Sequence, residues 1–150
     1  MNKKTNNSPI DWADKLNEFN KRCRQQGLKI TPQRIAIYKE LSMSRKHPTA
    51  TDIYTKIRSE YPNISLGTVN SSLLAFAERG VIIIIGASGD PKRFEGNLDP
   101  HDHFRCIECH KITDIPQNKH KKIDIPKKLK AKYLVMGKQV LFEGKCDKCR

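Results

Sequence analysis

The sequence has no long apolar run. The block Val81-Ile82-Ile83-Ile84-Ile85 is five residues long, against the roughly 20 a membrane-spanning helix needs, so no such span is expected. Apolar residues are also missing behind the N-terminal Met1-Asn2-Lys3-Lys4-Thr5-Asn6-Asn7. This is unlike a secretory signal, and the expectation is a cytoplasmic protein with no membrane partner. Acidic residues are scarce: 16 Asp and Glu stand against 29 Lys and Arg, giving a net charge of +13 over 150 residues. Nucleic acid is the first partner such a balance implies, because neutralising phosphates releases counterions. A solvated basic surface is the alternative. Residues 1–85 hold 14 basic and 7 acidic side chains, and residues 86–150 hold 15 and 9, so charge does not choose the half that touches DNA. The length allows one compact domain or two small ones, and there is no internal repeat.

Cysteine is the informative residue. Four of the five form two identical pairs, Cys106-x-x-Cys109 and Cys146-x-x-Cys149. Disulfides are disfavoured in a reducing compartment, and paired Cys-x-x-Cys turns aim four thiolates at one tetrahedral zinc ion. The 36 intervening residues exceed a short finger loop, so the ion would join two distant parts of one small domain. A thioredoxin-like redox pair opens a helix, whereas Cys149 is penultimate and has no helix to open. Cys23 stands alone and reads as a small helix residue.

Helix signals fill the first half. Ser8-Pro9-Ile10-Asp11 is a start signal, with Trp12, Leu16, Phe19 and Cys23 at helical spacing and Gly27 as the stop. Thr31-Pro32 opens a second helix with Ile35, Tyr38 and Leu41 on one face. Thr49-Ala50-Thr51-Asp52 caps a third, carrying Ile53, Ile57 and Tyr61 up to Pro62. Ser65 caps a fourth, with Leu66, Val69, Leu73, Phe76 and Ala77 as its buried stripe and Gly80 at its end. Val81 to Ile85 and Lys92 to Glu95 then read as two strands joined by a loop. Helices followed by a hairpin match a winged helix-turn-helix. The second half holds short strand-like pieces, Phe104 to Cys106, Lys111 to Ile115 and Val140 to Glu143, and a short basic helix from Lys127 to Tyr133. At about 50 residues it needs a staple or a partner subunit. The expected class is α+β: a winged helix-turn-helix domain over 1–85, wing end and hinge over 86–100, and a small α/β dimerisation domain with a four-cysteine zinc site over 101–150.

A second donor set lies upstream of the first cysteine pair. Alternation along a strand puts His101 and His103 on one side, Glu95 precedes His101 by six residues, and Asp114 follows the cysteine pair. Nitrogen and oxygen ligands suit Fe, Mn, Zn or Ni over thiophilic ions.

These pieces together resemble the ferric-uptake-regulator superfamily of dimeric, metal-dependent bacterial repressors. The resemblance runs through Gly27-Leu28-Lys29-Ile30-Thr31-Pro32-Gln33-Arg34, His47-Pro48-Thr49-Ala50, Ile64-Ser65-Leu66-Gly67-Thr68-Val69, His101-x-His103-x-x-Cys106-x-x-Cys109 and Gly144-x-Cys146-x-x-Cys149. It implies structural Zn2+ on the four cysteines and a regulatory Fe2+ or Mn2+ held by His47, Glu95, His101, His103 and Asp114 where the domains meet. Spacing alone leaves His47 a surface residue ahead of Pro48. Some members carry a third site, but Pro100, Lys121 and Gln139 stand at its positions and only Asp102 remains, so two sites are expected. Asp114 and the wing segment Gly89-Asp90-Pro91-Lys92-Arg93-Phe94 resemble the peroxide-responsive branch, whereas Glu95 resembles the iron-responsive one. The resemblance to the peroxide branch implies that Fe2+-promoted oxidation of His47 or His101 releases DNA. A plain sensor of iron or another divalent metal is the alternative.

The resemblance also implies a homodimer on a pseudopalindromic double-stranded DNA operator. On the fourth helix, Thr68, Asn70 and Ser71 are the candidate base contacts, since Asn can pair bidentately with adenine. Lys15, Arg22, Arg34 and Arg93 are candidate phosphate contacts, which position without specifying. Two readings from other classes compete. A small zinc-dependent hydrolase or deaminase would need His-x-Glu before Pro-Cys-x-x-Cys, and Glu is absent from that place. A zinc-ribbon interaction module would sense nothing. The expectation is a regulator, not an enzyme. His110, where relatives usually have Gly, has no explanation from sequence.

Overall fold

The computed structural model describes residues 12–86, 89–117, 123–135 and 137–150. The chain divides into two compact units, one ending at Leu98 and one beginning at Asp99. The start signal expected at Ser8 to Asp11 lies outside the described residues.

The first unit is helical. Its elements are α1 (Trp12–Gln25), α2 (Pro32–Met43), α3 (Ala50–Ile57), α4 (Leu66–Glu78) and the antiparallel strands β1 (Ile83–Ile85) and β2 (Arg93–Glu95). Local chemistry sets the helix starts. The Thr31 hydroxyl accepts from the Arg34 amide ahead of Pro32. Thr49 and Asp52 form a reciprocal capping box. The Ser65 hydroxyl accepts from the Thr68 amide. Each satisfies amides that the first helical turn leaves without partners. Gly27 and Gly80 end α1 and α4 with φ of 66° and 68°, a left-handed backbone that costs glycine little.

Two readings of the helices need correction. Leu66 does not join the buried stripe of α4 and is 41% exposed. It occupies the first helical position, one turn ahead of Val69, beyond the packed interior. The third helix stops at Ile57 and does not reach Tyr61. The Glu60 and Tyr61 amides both turn back to the Ile57 carbonyl, and the residue before Pro62 is disfavoured from helical backbone. The wing hairpin stays with the first unit because β2 pairs in register with β1, Ile84 opposite Phe94.

Phe19, Ile37, Leu73, Phe76 and Phe94 lie at the centre of this unit, fully buried. Phe19 stacks on Tyr38 at 4.1 Å between ring centroids and meets Phe76 edge-on at 5.2 Å. The rings join α1, α2 and α4, and Phe94 brings the wing into the same hydrophobic core. Phe76→Ala is expected to cost about 3–5 kcal/mol of stability, the usual penalty for emptying an aromatic site in a packed core. Urea unfolding of the two proteins measures it.

The second unit contains β3 (His101–Cys106), β4 (Ile112–Pro116), α5 (Lys127–Lys132) and β5 (Leu141–Gly144). The sheet order is β4-β3-β5, with β4 antiparallel and β5 parallel to β3. Apolar burial is sparse: among the described residues only Cys106 and Ile112 are buried apolar side chains of this unit, while Leu134 is 88% exposed. No described helix is long and apolar enough to cross a membrane.

Candidate metal centres and nucleic-acid interface

The four-cysteine cluster follows from the parallel pairing of β3 and β5. Cys106 lies opposite Gly144 in the register, so both strands end at the same edge, and each runs straight into a Cys-x-x-Cys turn. The Ile107 amide donates to the Gly144 carbonyl at 2.8 Å. Gly144 keeps the strands close, because a Cβ there would meet the Phe104 ring at 3.4 Å. All four sulfurs lie within 4.8 Å of one another. Zinc–sulfur bonds of about 2.3 Å in a tetrahedron place sulfurs about 3.8 Å apart, and Cys109 Sγ lies 3.8 Å from Cys146 Sγ. The donor set fits zinc.

Its protonation is uneven. The backbone amides of Cys109 and Cys146 donate toward Cys106 and bring its thiol down to about 6. Hydrogen bonding from Cys146, then burial and the neighbouring sulfurs, push Cys149 up to about 12. Crowded sulfurs cannot all ionise without a cation among them.

An Arg–His pair supports the first cysteine turn, and it accounts for His110. His110 has φ 58°, the backbone that usually calls for glycine. Arg105 is nearly buried and bridges two elements: Nη1 reaches Glu143 on β5 at 3.0 Å, and Nη2 reaches His110 Nδ1 at 3.1 Å. A guanidinium only donates, so Nδ1 accepts and the ring proton sits on Nε2. The side-chain anchor offsets the strained backbone. The only signal in the sequence was a histidine at an expected glycine.

Nitrogen and oxygen donors gather in each unit. In the first, His47 Nε2 lies 3.1 Å from Glu95 Oε2, and both side chains are at most one-tenth exposed. Metal–ligand bonds of about 2.1 Å set neighbouring donors about 3 Å apart, so this pair fits a shared ion. In the second unit, His101 and His103 project from the same face of β3 with ring centroids 4.6 Å apart. Asp114 on β4, opposite His103 in the register, puts Oδ1 3.7 Å from His101 Nε2 and 3.6 Å from His103 Nε2. His101 Nδ1 lies 2.7 Å from the Asp99 carbonyl. A carbonyl only accepts, so Nδ1 donates, and Nε2 is the nitrogen turned toward Asp114, the orientation a metal-binding imidazole needs. The set read from sequence is thus present as two groups, His47 with Glu95 and His101 with His103 and Asp114.

The candidate DNA contacts are less uniform. On α4, Asn70 and Ser71 are exposed and Thr68 is half-buried. The Thr68 hydroxyl lies 2.9 Å from Ser65 Oγ, and Ser71 Oγ donates to the Thr68 carbonyl. Asn70 therefore has the side chain best placed to read a base. The four basic candidates have intramolecular partners. Lys15 Nζ donates to the Ser42 carbonyl, Arg22 pairs with Glu18, Arg34 donates to the Lys29 carbonyl, and Arg93 donates to the His47 carbonyl.

The comparisons with known proteins agree with one another. A family model described as the ferric uptake regulator family matches residues 25–139. A peroxide-responsive repressor of Staphylococcus aureus is 32% identical over 127 residues, 85% of this chain and 86% of that protein. Among solved structures, the ferric uptake regulator of Helicobacter pylori superposes with a TM-score of 0.69 at 22% identity, covering 93% of each chain. The peroxide stress regulator of Campylobacter jejuni gives 0.62 at 26% identity, covering 89% of this chain and 98% of that one.

Proposed function

The chain belongs to the ferric uptake regulator family, whose members are transcriptional regulators and not enzymes, and from that premise we propose that it is a dimeric, metal-dependent repressor that senses peroxide. The observation that carries the metal dependence is the separation of donor types. Four cysteine sulfurs close on one point, while imidazoles and carboxylates collect elsewhere without sulfur.

The thiolate set takes structural Zn2+. The His47–Glu95 pair and the His101, His103 and Asp114 group together hold one regulatory Fe2+ or Mn2+. An ion bound by ligands from both domains stabilises the dimer conformations that satisfy all five, and it favours DNA binding only by its differential affinity for those conformations. The exposed apolar side chains Ile107, Leu129, Tyr133, Leu134 and Phe142 support a homodimer through the second unit. The operator is double-stranded DNA with two-fold symmetry. Asn70 contacts an adenine, and Thr68 and Ser71 lie beside it. Lys15, Arg22 and Arg34 are phosphate partners if they exchange their present acceptors for DNA. As a transcriptional regulator it would act on DNA in the cytoplasm.

Similarity to the peroxide-responsive repressor favours peroxide over iron as the signal. Fe2+ held there would activate hydrogen peroxide; one peroxide oxygen would pass to a ring carbon of His47 or His101, both within the proposed ligand set, and the other would leave as water, so that the oxidised ring is a poorer ligand. Glu95 favours a second reading, a reversible iron sensor, in which loss of the ion does the same work.

One experiment separates the two. The zinc-loaded protein is charged with Fe2+ or with Mn2+, exposed to hydrogen peroxide, and assayed for operator binding and for peptide mass. The expected result is one added oxygen atom on the His47 or His101 peptide and loss of binding with Fe2+ alone. Unmodified peptides with intact binding would leave the iron sensor standing.

A further inference from the structure

Three consecutive residues of β2 reach one short loop. Arg93 donates from Nη1 to the His47 carbonyl at 3.2 Å, the Phe94 amide donates to the Pro48 carbonyl at 3.0 Å, and the Glu95 carboxylate meets His47 Nε2 at 3.1 Å. The loop needs these contacts. His47 has φ 49°, a left-handed backbone that a residue with a Cβ keeps only where its surroundings enforce it. The residue is also buried, so its imidazole has little freedom to correct a misplaced backbone.

Alternation along β2 sends Phe94 into the core, fully buried, and leaves Arg93 and Glu95 on the other face. The strand thus presents a carboxylate to the ring and a guanidinium to the carbonyl of the same histidine. Arg93 is half-buried and turned inward, a poor posture for gripping a DNA phosphate.

We propose that Arg93 is a positioning residue for the regulatory metal: its guanidinium anchors the His47 carbonyl and fixes the strained backbone that presents the imidazole beside Glu95. The wing strand and two of the five proposed ligands are then one mechanical piece, because the strand that pairs with β1 also sets the His47 geometry. The inference rests on the metal-sensing reading above.

The test uses the full-length zinc-loaded protein and its R93A and R93K variants. Mn2+ affinity is measured by titration, with free Mn2+ followed by electron paramagnetic resonance. Binding to a duplex selected by the wild-type protein with Mn2+ is then measured at saturating Mn2+ over a range of salt. Residues that orient metal ligands typically contribute about 10- to 100-fold in affinity, so R93A is expected to weaken Mn2+ by about tenfold or more. R93K, which keeps a donor, loses less. Circular dichroism without Mn2+ shows both variants still folded, and the salt slope at saturating Mn2+ remains that of the wild type.

R93A that binds Mn2+ normally, or that lowers the salt slope by about one unit as loss of a phosphate contact does, overturns the proposal while the metal reading survives. A wild-type protein that takes up no Mn2+ beyond its zinc removes both.

Discussion

Cys106→Ser will cost the second unit its fold, with the first unit still folded. Among its described residues that unit has few buried apolar side chains, and the most exposed ones, Leu134 and Tyr133, directly follow α5. A segment so poor in core depends on a staple, and the cysteine cluster is where two sequence-distant turns are joined. Circular dichroism is expected to lose its sheet contribution, size exclusion to show loss of the dimer, and metal analysis to fall from about one zinc per chain to near zero in the presence of a chelator. Phe76→Ala acts in the other unit and leaves zinc content unchanged, so the pair tells local from global collapse.

The same cluster fixes the pH dependence of zinc binding. Cys149, raised to about 12, keeps its proton at neutral pH, so zinc must displace it. Affinity therefore falls as pH falls, by at least one proton released per zinc bound. Cys106, lowered to about 6, is already a thiolate above that value and adds no proton there. Below about 6 it is protonated as well, and the dependence steepens. Zinc titrations with a chromogenic chelator from about pH 8 to about pH 5 would show this change in slope; a flat profile would mean that the thiols are all ionised before the metal arrives.

How much of this was legible in the sequence follows the range of the interactions. The caps at Thr31, Thr49 and Ser65 are four-residue events, and the helix starts they set are found in the structure. The cysteine turns are equally local, and two identical spacings suffice to predict a tetrahedral site. His101 and His103 needed only the two-residue period of a strand. The His47–Glu95 pair spans 48 residues and follows from no periodicity; only the resemblance to a family pointed to it. Leu66 misled because a helical wheel counts angles and ignores where the helix begins. Arg105 and His110 meet because the turn after Cys109 folds back beside β3, so the unusual histidine could be noticed in the sequence but not explained there.

His103→Ala will separate a sensor from a passive zinc module. His103 is buried on β3, opposite Asp114, and shares that carboxylate with His101. Orienting residues outside a ligand set commonly contribute about 10- to 100-fold, so deletion of a ligand is expected to weaken Mn2+ by about a hundredfold or more. The four cysteines lie at the far end of the strand and keep their zinc. Operator binding should then lose its response to Mn2+ at concentrations that saturate the wild type, because the ion contributes to DNA affinity only what it gains in the DNA-compatible conformation. Zinc content and dimerisation are measured in the same samples and are expected to match the wild type. If His103→Ala binds the operator as tightly as the wild type with and without Mn2+, the imidazoles and carboxylates are structural, and the protein grips DNA with no metal signal at all. If binding is lost in both conditions while zinc and dimer persist, His103 supports the DNA-bound shape directly. The sensor reading requires the intermediate pattern, in which unstimulated binding is retained and the metal-dependent gain is gone.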